Sequence, residues 1–149
     1  MSNGTIDSKH QLFIEKVSAA KIVWGLKNKE GWANSHSRED EQVDVIPFWS
    51  DRALAKASAR DDWKGYTPTE ILLSDFLENW CTGMAENDTL VGTNWDANMN
   101  GAESDALEVA LQILLRLKDM NSAIKFKNYG SLDDFIADIA NDEEEEGED

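Results

Sequence analysis

The spacing of hydrophobic residues divides this chain into short strands and amphipathic helices. Ile22, Trp24 and Leu26 alternate along the chain, as they do in a half-buried strand. Turn-forming residues at 28–31 then predict a hairpin whose second strand covers residues 32–36. Further strands are predicted at residues 43–49, 69–72 and 89–95.

Helical spacing predicts the remaining elements. A first helix opens near Asp7, and an alanine-rich helix capped by Ser50 covers residues 52–62. A further helix, capped by Ser74, carries Trp80 and Cys81 on its apolar stripe. The longest helix covers residues 102–120. A wide apolar arc indicates a helix that is deeply packed or shared with a second subunit, so a homodimer through this helix is one alternative. The arc consists of Leu107, Ala110, Leu111 and Leu114, with Ala106, Val109 and Ile113 alongside.

Short connections between mixed strands and helices predict an α+β fold: a small, mainly antiparallel sheet packed against several helices, with a long helix near the C-terminus. The length of 149 residues suits one domain. We assign residues 1–128 to that domain and residues 129–149 to an acidic C-terminal segment with a short amphipathic helix. One cysteine, no run of about 20 apolar residues and no leader pattern indicate a cytoplasmic protein.

Charge is concentrated at the C-terminus. The formal net charge is −16, from 14 basic and 30 acidic residues. Residues 129–149 hold 10 of the acids and no base, so they contribute −10 and residues 1–128 contribute −6. Carboxylates repel phosphates and anionic lipids, which argues against nucleic-acid and membrane partners. A protein partner, a basic one by charge, fits this distribution.

The C-terminal segment also carries a helical pattern. Leu132, Phe135, Ile136 and Ile139 follow Ser131 at i, i+3, i+4 and i+7 spacing. A short helix cannot stabilise itself alone, so this apolar stripe must dock on something. One alternative docks it on its own domain and leaves the acidic end as a solubilising brush. The other makes these four residues a helix-in-groove ligand for a basic partner.

The six tryptophans offer a second candidate binding surface. Indole rings are enriched at binding hot spots, although most tryptophans in a small domain belong to its core. Trp32, beside the hairpin turn, and Trp95, at the entrance to an asparagine-rich loop, are expected to be partly exposed and available to a partner.

The loop that begins at Asp96 matches the first half of a calcium-binding loop. Asp96, Asn98 and Asn100 supply oxygens at the first, third and fifth positions, and glycine follows at the sixth. The twelfth position, where a bidentate carboxylate belongs, is Leu107. The sequence therefore favours a structural loop, with Asn100 and Glu103 capping the long helix, and no metal or other cofactor is expected.

Catalytic signatures are weak. Cys81 lies on an apolar stripe, and neither His10 nor His36 has a neighbourhood diagnostic of a base. A metal site at His36 and the acids that follow it would need more nitrogen or sulfur ligands. The sequence leans towards a non-enzymatic protein and leaves the question open.

The order of tryptophans and glycines resembles a known pattern. Its motifs are Val23-Trp24-Gly25-Leu26, Gly31-Trp32-Ala33, Val45-Ile46-Pro47-Phe48-Trp49, Trp63 with Tyr66, Phe76-Leu77-Glu78-Asn79-Trp80, and Val91-Gly92. On these motifs, residues 23–95 resemble the bacterial family known as domain of unknown function 2750. They are more loosely similar to the N-terminal domain of the enhanced-serine-sensitivity protein. The resemblance implies a bacterial intracellular α+β domain and transfers no catalytic residue or cofactor.

The leading hypothesis is therefore a non-enzymatic, acidic protein-interaction domain of the bacterial cytosol, of the adaptor, inhibitor or immunity-like kind. The alternative is a small-molecule or metal-binding enzyme accessory that uses the tryptophans and the loop 96–101.

Overall fold

The computed structural model describes residues 6–147, and the backbone alone for residues 142–147. The strands are β1 (Ile22–Asn28), β2 (Gly31–Trp32), β3 (Ser35–His36), β4 (Asp44–Phe48), β5 (Thr67–Leu72), β6 (Leu90–Thr93) and β7 (Ala102–Ser104). The helices are α1 (Ile6–Ala20), α2 (Arg52–Ala57), α3 (Leu73–Asp75), α4 (Thr82–Glu86), α5 (Ala106–Asp119) and α6 (Leu132–Gly147). A π-helical turn, Phe76–Cys81, joins α3 to α4, and a 3₁₀ turn covers Asp61–Trp63.

The strands form two sheets. One has the order β2-β1-β5 and is antiparallel; the other has the order β3-β4-β6-β7, in which β4 and β6 run parallel. A bridge between Trp24 and Trp49 links the two sheets. A parallel pair needs a long crossover, and residues 49–89 supply it. The predicted α+β fold with mainly antiparallel strands is confirmed, with two sheets in place of one.

The predicted hairpin at residues 22–36 is correct only for its first part. β2 pairs with β1, with Trp32 opposite Lys27. Ser35 and His36 instead pair with β4 in the other sheet. Residues 32–36, which were predicted to form one strand, thus pass from one sheet to the other.

Three helix starts differ from the prediction, and aspartates cap two of them. Ser74 caps no helix, because it lies inside α3, whose N-cap is Leu72. Asp51, rather than Ser50, is the N-cap of α2, and that helix is shorter than predicted. Asp105 is the N-cap of α5, so Asn100 and Glu103 do not cap it. The residues just before Asp105 form β7, a strand that the sequence reading placed inside the long helix.

Helix α5 lies at the centre of the larger core. Its buried side chains pack in one cluster with residues of α1, the π-helical turn and α6. Leu107 and Leu111 are half-buried against the same cluster. Packing within the chain therefore accounts for most of the wide apolar arc, and a homodimer through α5 stays a prediction. The buried residues of α5 are Ala106, Val109, Ala110, Ile113, Leu114 and Leu117.

Along residues 6–147, no helix combines the length and the apolarity that a membrane span requires.

Candidate functional site

Helix α6 is docked on its own domain through its apolar stripe. Phe135 is 0% exposed and Ile139 is 2% exposed. The Phe135 ring stacks on Tyr129, with centroids 4.1 Å apart, and meets Phe126 edge to face at 5.2 Å. An amphipathic helix is stabilised by this kind of tertiary packing. Of the two alternatives for the stripe, the structure has the one in which the helix packs on its own chain.

All four residues predicted to bind a partner through the stripe face the core. Leu132 and Ile136 are half-buried and pack against the cluster that contains Phe135 and Ile139. A partner could reach these side chains only if α6 left its own domain. The binding of these four residues to a partner stays a prediction. In the docked helix it is the opposite face that is exposed to solvent.

The exposed face of α6 is acidic. Asp133, Asp134 and Asp138 are all exposed. The Asp133 carboxylate pairs with Lys118 of α5 at 2.8 Å, and the Tyr129 hydroxyl donates a hydrogen bond to Asp138 at 2.6 Å. The helix is longer than the short one predicted and continues through the acidic run at residues 142–146. The domain therefore displays the carboxylates of Asp133, Asp134 and Asp138 at fixed positions.

Trp95 is buried, so its predicted exposure is wrong. Its side chain is 3% exposed, and its indole N–H donates to the Ala102 carbonyl at 2.9 Å. Gly92 and Gly101 lie directly against the ring, where any β-carbon would overlap it. The two glycines leave room for a flat indole to cover the sheet, and the loop that follows is closed over it.

Trp32 is half-buried, which agrees with the expectation of partial exposure. Its ring meets Trp80 edge to face, with centroids 4.8 Å apart and an interplanar angle of 89°. The Lys27 ammonium lies 5.1 Å from the Trp32 ring centroid, in a cation–π contact. Trp80 also meets Phe48 at 5.5 Å. The two indoles thus form a rigid corner at the edge of the core.

This aromatic corner forms part of a cleft of about 630 Å³. The cleft lies where the end of β5, the first turns after it and residues 125–127 meet. Sequence reasoning did not predict it, because its walls come from segments far apart in the chain. Trp80 had been assigned to the core stripe, and the lysines at 125 and 127 carried no motif.

Glu78 fixes one wall of the cleft. Glu78 is 6% exposed, and its carboxylate accepts hydrogen bonds from the backbone amides of Lys127, at 3.1 Å, and Asn128, at 2.7 Å. A buried carboxylate is costly unless its oxygens are hydrogen-bonded, and here each oxygen has a donor. Glu78 therefore holds the irregular segment before α6 against the π-helical turn.

The Asp96 loop is closed by its own hydrogen bonds. The Asp96 carboxylate accepts the amides of Asn98 at 2.8 Å and Asn100 at 3.1 Å, and it pairs with Lys9 at 3.4 Å. Partial burial raises the pKa of Asp96, but the amides and Lys9 together outweigh it, so the pKa lies below its ordinary value. The three candidate calcium ligands thus lie in a turn whose backbone amides are hydrogen-bonded to the Asp96 carboxylate.

Metal sites can also be formed by residues that are far apart in the sequence and make up no motif. Among the side chains that the structure describes, no three His, Cys, Asp or Glu residues are grouped so that they could hold an ion.

His10 takes part in a polar cluster that sequence reasoning missed. Its Nε2 lies 2.7 Å from the Gln112 amide oxygen and its Nδ1 lies 2.8 Å from the Thr93 hydroxyl. The Gln112 amide oxygen accepts, so Nε2 donates to it, while the contact between Nδ1 and the Thr93 hydroxyl is a second hydrogen bond. Thr93 is 0% exposed, so a substrate cannot reach its hydroxyl. The cluster therefore ties α1, β6 and α5 together.

Cys81 is a core residue, as its position on an apolar stripe predicted. It is fully buried, and burial together with the negative charge of Asp105 raises the pKa of the thiol far above its ordinary value. A thiol that stays protonated is a poor nucleophile.

A family model described as "Protein of unknown function (DUF2750)" matches residues 10–113, which confirms the resemblance inferred from the tryptophan and glycine motifs. Comparisons with the curated proteins and with the solved structures return no match. The matched range includes the His10 cluster and Glu78, and it ends before residues 125–127 and α6.

Proposed function

The chain belongs to the DUF2750 family, whose function is unknown, and we propose that it is a non-enzymatic protein-interaction module that presents an acidic helix to a basic protein partner. An adaptor, an inhibitor and an immunity-like protein would all act in this way. The observation that carries the proposal is the orientation of α6, whose apolar side is buried while its aspartates are exposed.

A docked helix is better suited to recognition than a free acidic tail. A flexible polyanion would pay the entropic cost of ordering when it binds, whereas α6 is already helical and anchored by Phe135 and Ile139. Asp133, Asp134 and Asp138 project from one helix at fixed spacing. Fixed charges can match a complementary basic surface, which gives specificity beyond simple charge attraction.

Charge would act mainly on the speed of association. A segment with a formal charge of −10 creates a field that steers a basic protein towards α6 before contact. Steering of this kind falls as salt is added, because the screening length shrinks from about 10 Å at 0.1 M to about 3 Å at 1 M. Binding is therefore expected to weaken strongly with ionic strength.

Because α6 lies outside the residues matched by the family model, this role is proposed for this chain and not for the family. Relatives that end near α5 would share the body of the domain without the acidic helix.

The test begins with capture of partners from bacterial extract at low and moderate salt. A captured protein is then purified, and its affinity is measured for the wild type and for the triple variant Asp133→Asn, Asp134→Asn, Asp138→Asn. The proposal expects a basic protein whose affinity falls by about 10-fold or more in the variant, since each interfacial charge pair contributes on the order of 1 kcal/mol.

A matched control separates the helix from the overall charge. Glu15, Glu30 and Asp62 are also exposed acids, and the variant Glu15→Gln, Glu30→Gln, Asp62→Asn removes the same number of charges elsewhere. Equal weakening in both triple variants would show non-specific attraction. That result, or the absence of a captured basic protein, would overturn the proposal.

A further inference from the structure

We propose that the cleft lined by Trp32, Trp80 and residues 125–127 binds a small aromatic zwitterion, a molecule with one aromatic ring, one carboxylate and one ammonium group. Free aromatic amino acids and short peptides that contain one share this chemistry. The inference is independent of the proposed function, because it uses a different surface and a different class of ligand.

The dimensions of the cleft suit a small molecule. Its volume of about 630 Å³ lies within the range of roughly 300–1,000 Å³ that is typical of ligand pockets. Strand β5, the helical residues that follow it and the irregular segment before α6 all contribute walls. A pocket at such a junction can enclose a ligand from several sides, as a flat surface cannot.

The aromatic corner provides a place for the ring of the ligand. Trp32 and Trp80 are perpendicular and half-buried, so each still has surface that a ligand can contact. Lys27 and Phe48 hold the two indoles from other sides. Offset stacking and edge-to-face contacts with a third ring are the arrangements that aromatic side chains prefer.

The charged groups around this corner are of both signs. Lys125 and Lys127 line the cleft on one segment, and Glu70 and Asp75 line it on others. The lysines would hold a ligand carboxylate and the two acids would hold an ammonium group. Neither a simple cation nor a simple anion would match the lining, whereas a zwitterion satisfies both sets of charges.

The positions of these groups are fixed by hydrogen bonds within the chain. Glu78 binds the amides of Lys127 and Asn128, which anchors the segment that carries the lysines. Asn79 donates to the Asp75 carboxylate and orients it. Both Glu78 and Trp80 belong to the π-helical turn, and such turns occur frequently at functional sites. A site held in place in this way loses little freedom when a ligand binds.

Isothermal titration of the full-length protein with a matched set of compounds tests the proposal. The probes are phenylalanine and phenylalanyl-alanine, which differ in length and so separate an amino-acid site from a peptide site. Phenethylamine lacks the carboxylate, 3-phenylpropionate lacks the ammonium group, and leucine lacks the ring. We expect saturable binding of at least one zwitterionic aromatic probe, and affinities at least about 10-fold lower for all three comparison compounds.

Variants then place the ligand in the cleft. The double variant Lys125→Ala, Lys127→Ala should lower the affinity for the probe by about 10-fold or more. The double variant Glu70→Gln, Asp75→Asn should lower it by a similar factor. Lys29→Ala and Glu86→Gln, which are exposed and lie outside this cleft, should leave the affinity unchanged. In NMR spectra, the indole N–H signals of Trp32 and Trp80 should shift on titration while that of Trp49 stays in place.

The proposal is overturned if neither zwitterion gives saturable heat up to about 10 mM, a concentration at which complexes with a Kd in the millimolar range are detected. It is equally overturned if the charge-removing cleft variants fold normally and bind the probe like the wild type. Because α6 is unchanged in these variants, neither result bears on the proposal that α6 binds a basic partner.

Discussion

The backbone amide of Asn128 donates a hydrogen bond to the buried carboxylate of Glu78 at 2.7 Å, across fifty positions of the chain. The neighbouring amide of Lys127 binds the other carboxylate oxygen. This pair of bonds joins the π-helical turn to the segment that leads into α6. It therefore helps to position both candidate surfaces, the acidic helix and the aromatic cleft.

Removing the Glu78 carboxylate should loosen that segment. In Glu78→Ala two backbone amides lose their acceptors. Hydrogen bonds to a charged group contribute about 1.5–3 kcal/mol each, but the variant also removes the cost of burying the carboxylate. We therefore expect a net loss of roughly 2–4 kcal/mol in the free energy of unfolding. Urea denaturation measures this loss, and hydrogen exchange should show faster exchange of the Lys127 and Asn128 amides. Glu86→Gln, on the exposed surface of α4, serves as the control and should change neither.

The docking of α6 predicts that its apolar stripe contributes to global stability. Phe135 is fully buried against Phe126 and Tyr129, so Phe135→Ala should cost about 3–5 kcal/mol by leaving a cavity. Ala137→Ser, on the exposed side of the helix, should cost less than about 1 kcal/mol. Equal stabilities of Phe135→Ala and the wild type in urea would show that α6 does not pack as described.

The surroundings of Gly92 and Gly83 predict that their replacement by alanine has opposite effects on stability. A β-carbon at Gly92 would lie 2.6 Å from Cε2 of Trp95, so Gly92→Ala should destabilise the protein by about 1–3 kcal/mol or more. Gly83 lies in α4 and has open space around its α-carbon, so Gly83→Ala should stabilise the protein by about 0.5–1 kcal/mol. Thermal unfolding of the two variants measures the difference, and destabilisation by Gly83→Ala or tolerance of Gly92→Ala would contradict this packing.

The low pKa of Asp96 predicts a stability difference that depends on pH. A carboxyl whose pKa is lower in the folded state than in the unfolded state, where it is about 3.9, stabilises the fold above that value. The contribution is lost as pH falls through the folded-state pKa. Compared with the wild type, Asp96→Asn should melt about 1–4 °C lower at pH 7, because it loses the ion pair with Lys9. The two melting curves should converge as the solution is acidified below about pH 4, whereas a gap that widens there would contradict the assignment.

The sequence predicted the elements whose signals are local. Alternation located β1 and much of β4 to β6, and the i, i+3, i+4, i+7 stripe located α6, because strand and helix periodicity follow from backbone geometry. It missed β7, since three residues before a strong helix give no separate period. It also merged β2 with β3, because nothing local shows that Trp32 and Ser35 pair in different sheets.

The candidate sites were harder to predict because they depend on distant contacts. The partial exposure of Trp32 followed from its place beside a turn, but the same reasoning failed for Trp95, whose burial depends on two glycines and a strand that had been missed. Nothing in the local sequence around Glu78 indicated that it would bind amides about fifty positions away.

Site-specific photo-crosslinking in bacterial cells tests the central claim most directly. A photoreactive amino acid at Ala137, which lies among the exposed aspartates of α6, should form an adduct with a discrete basic protein. The same group at Ala53, an exposed alanine of α2, should form none, and the Ala137 adduct should disappear when Asp133, Asp134 and Asp138 are changed to asparagine. An adduct that persists in that variant, or position 137 giving no more adduct than position 53, would contradict the proposal that α6 recruits a basic partner.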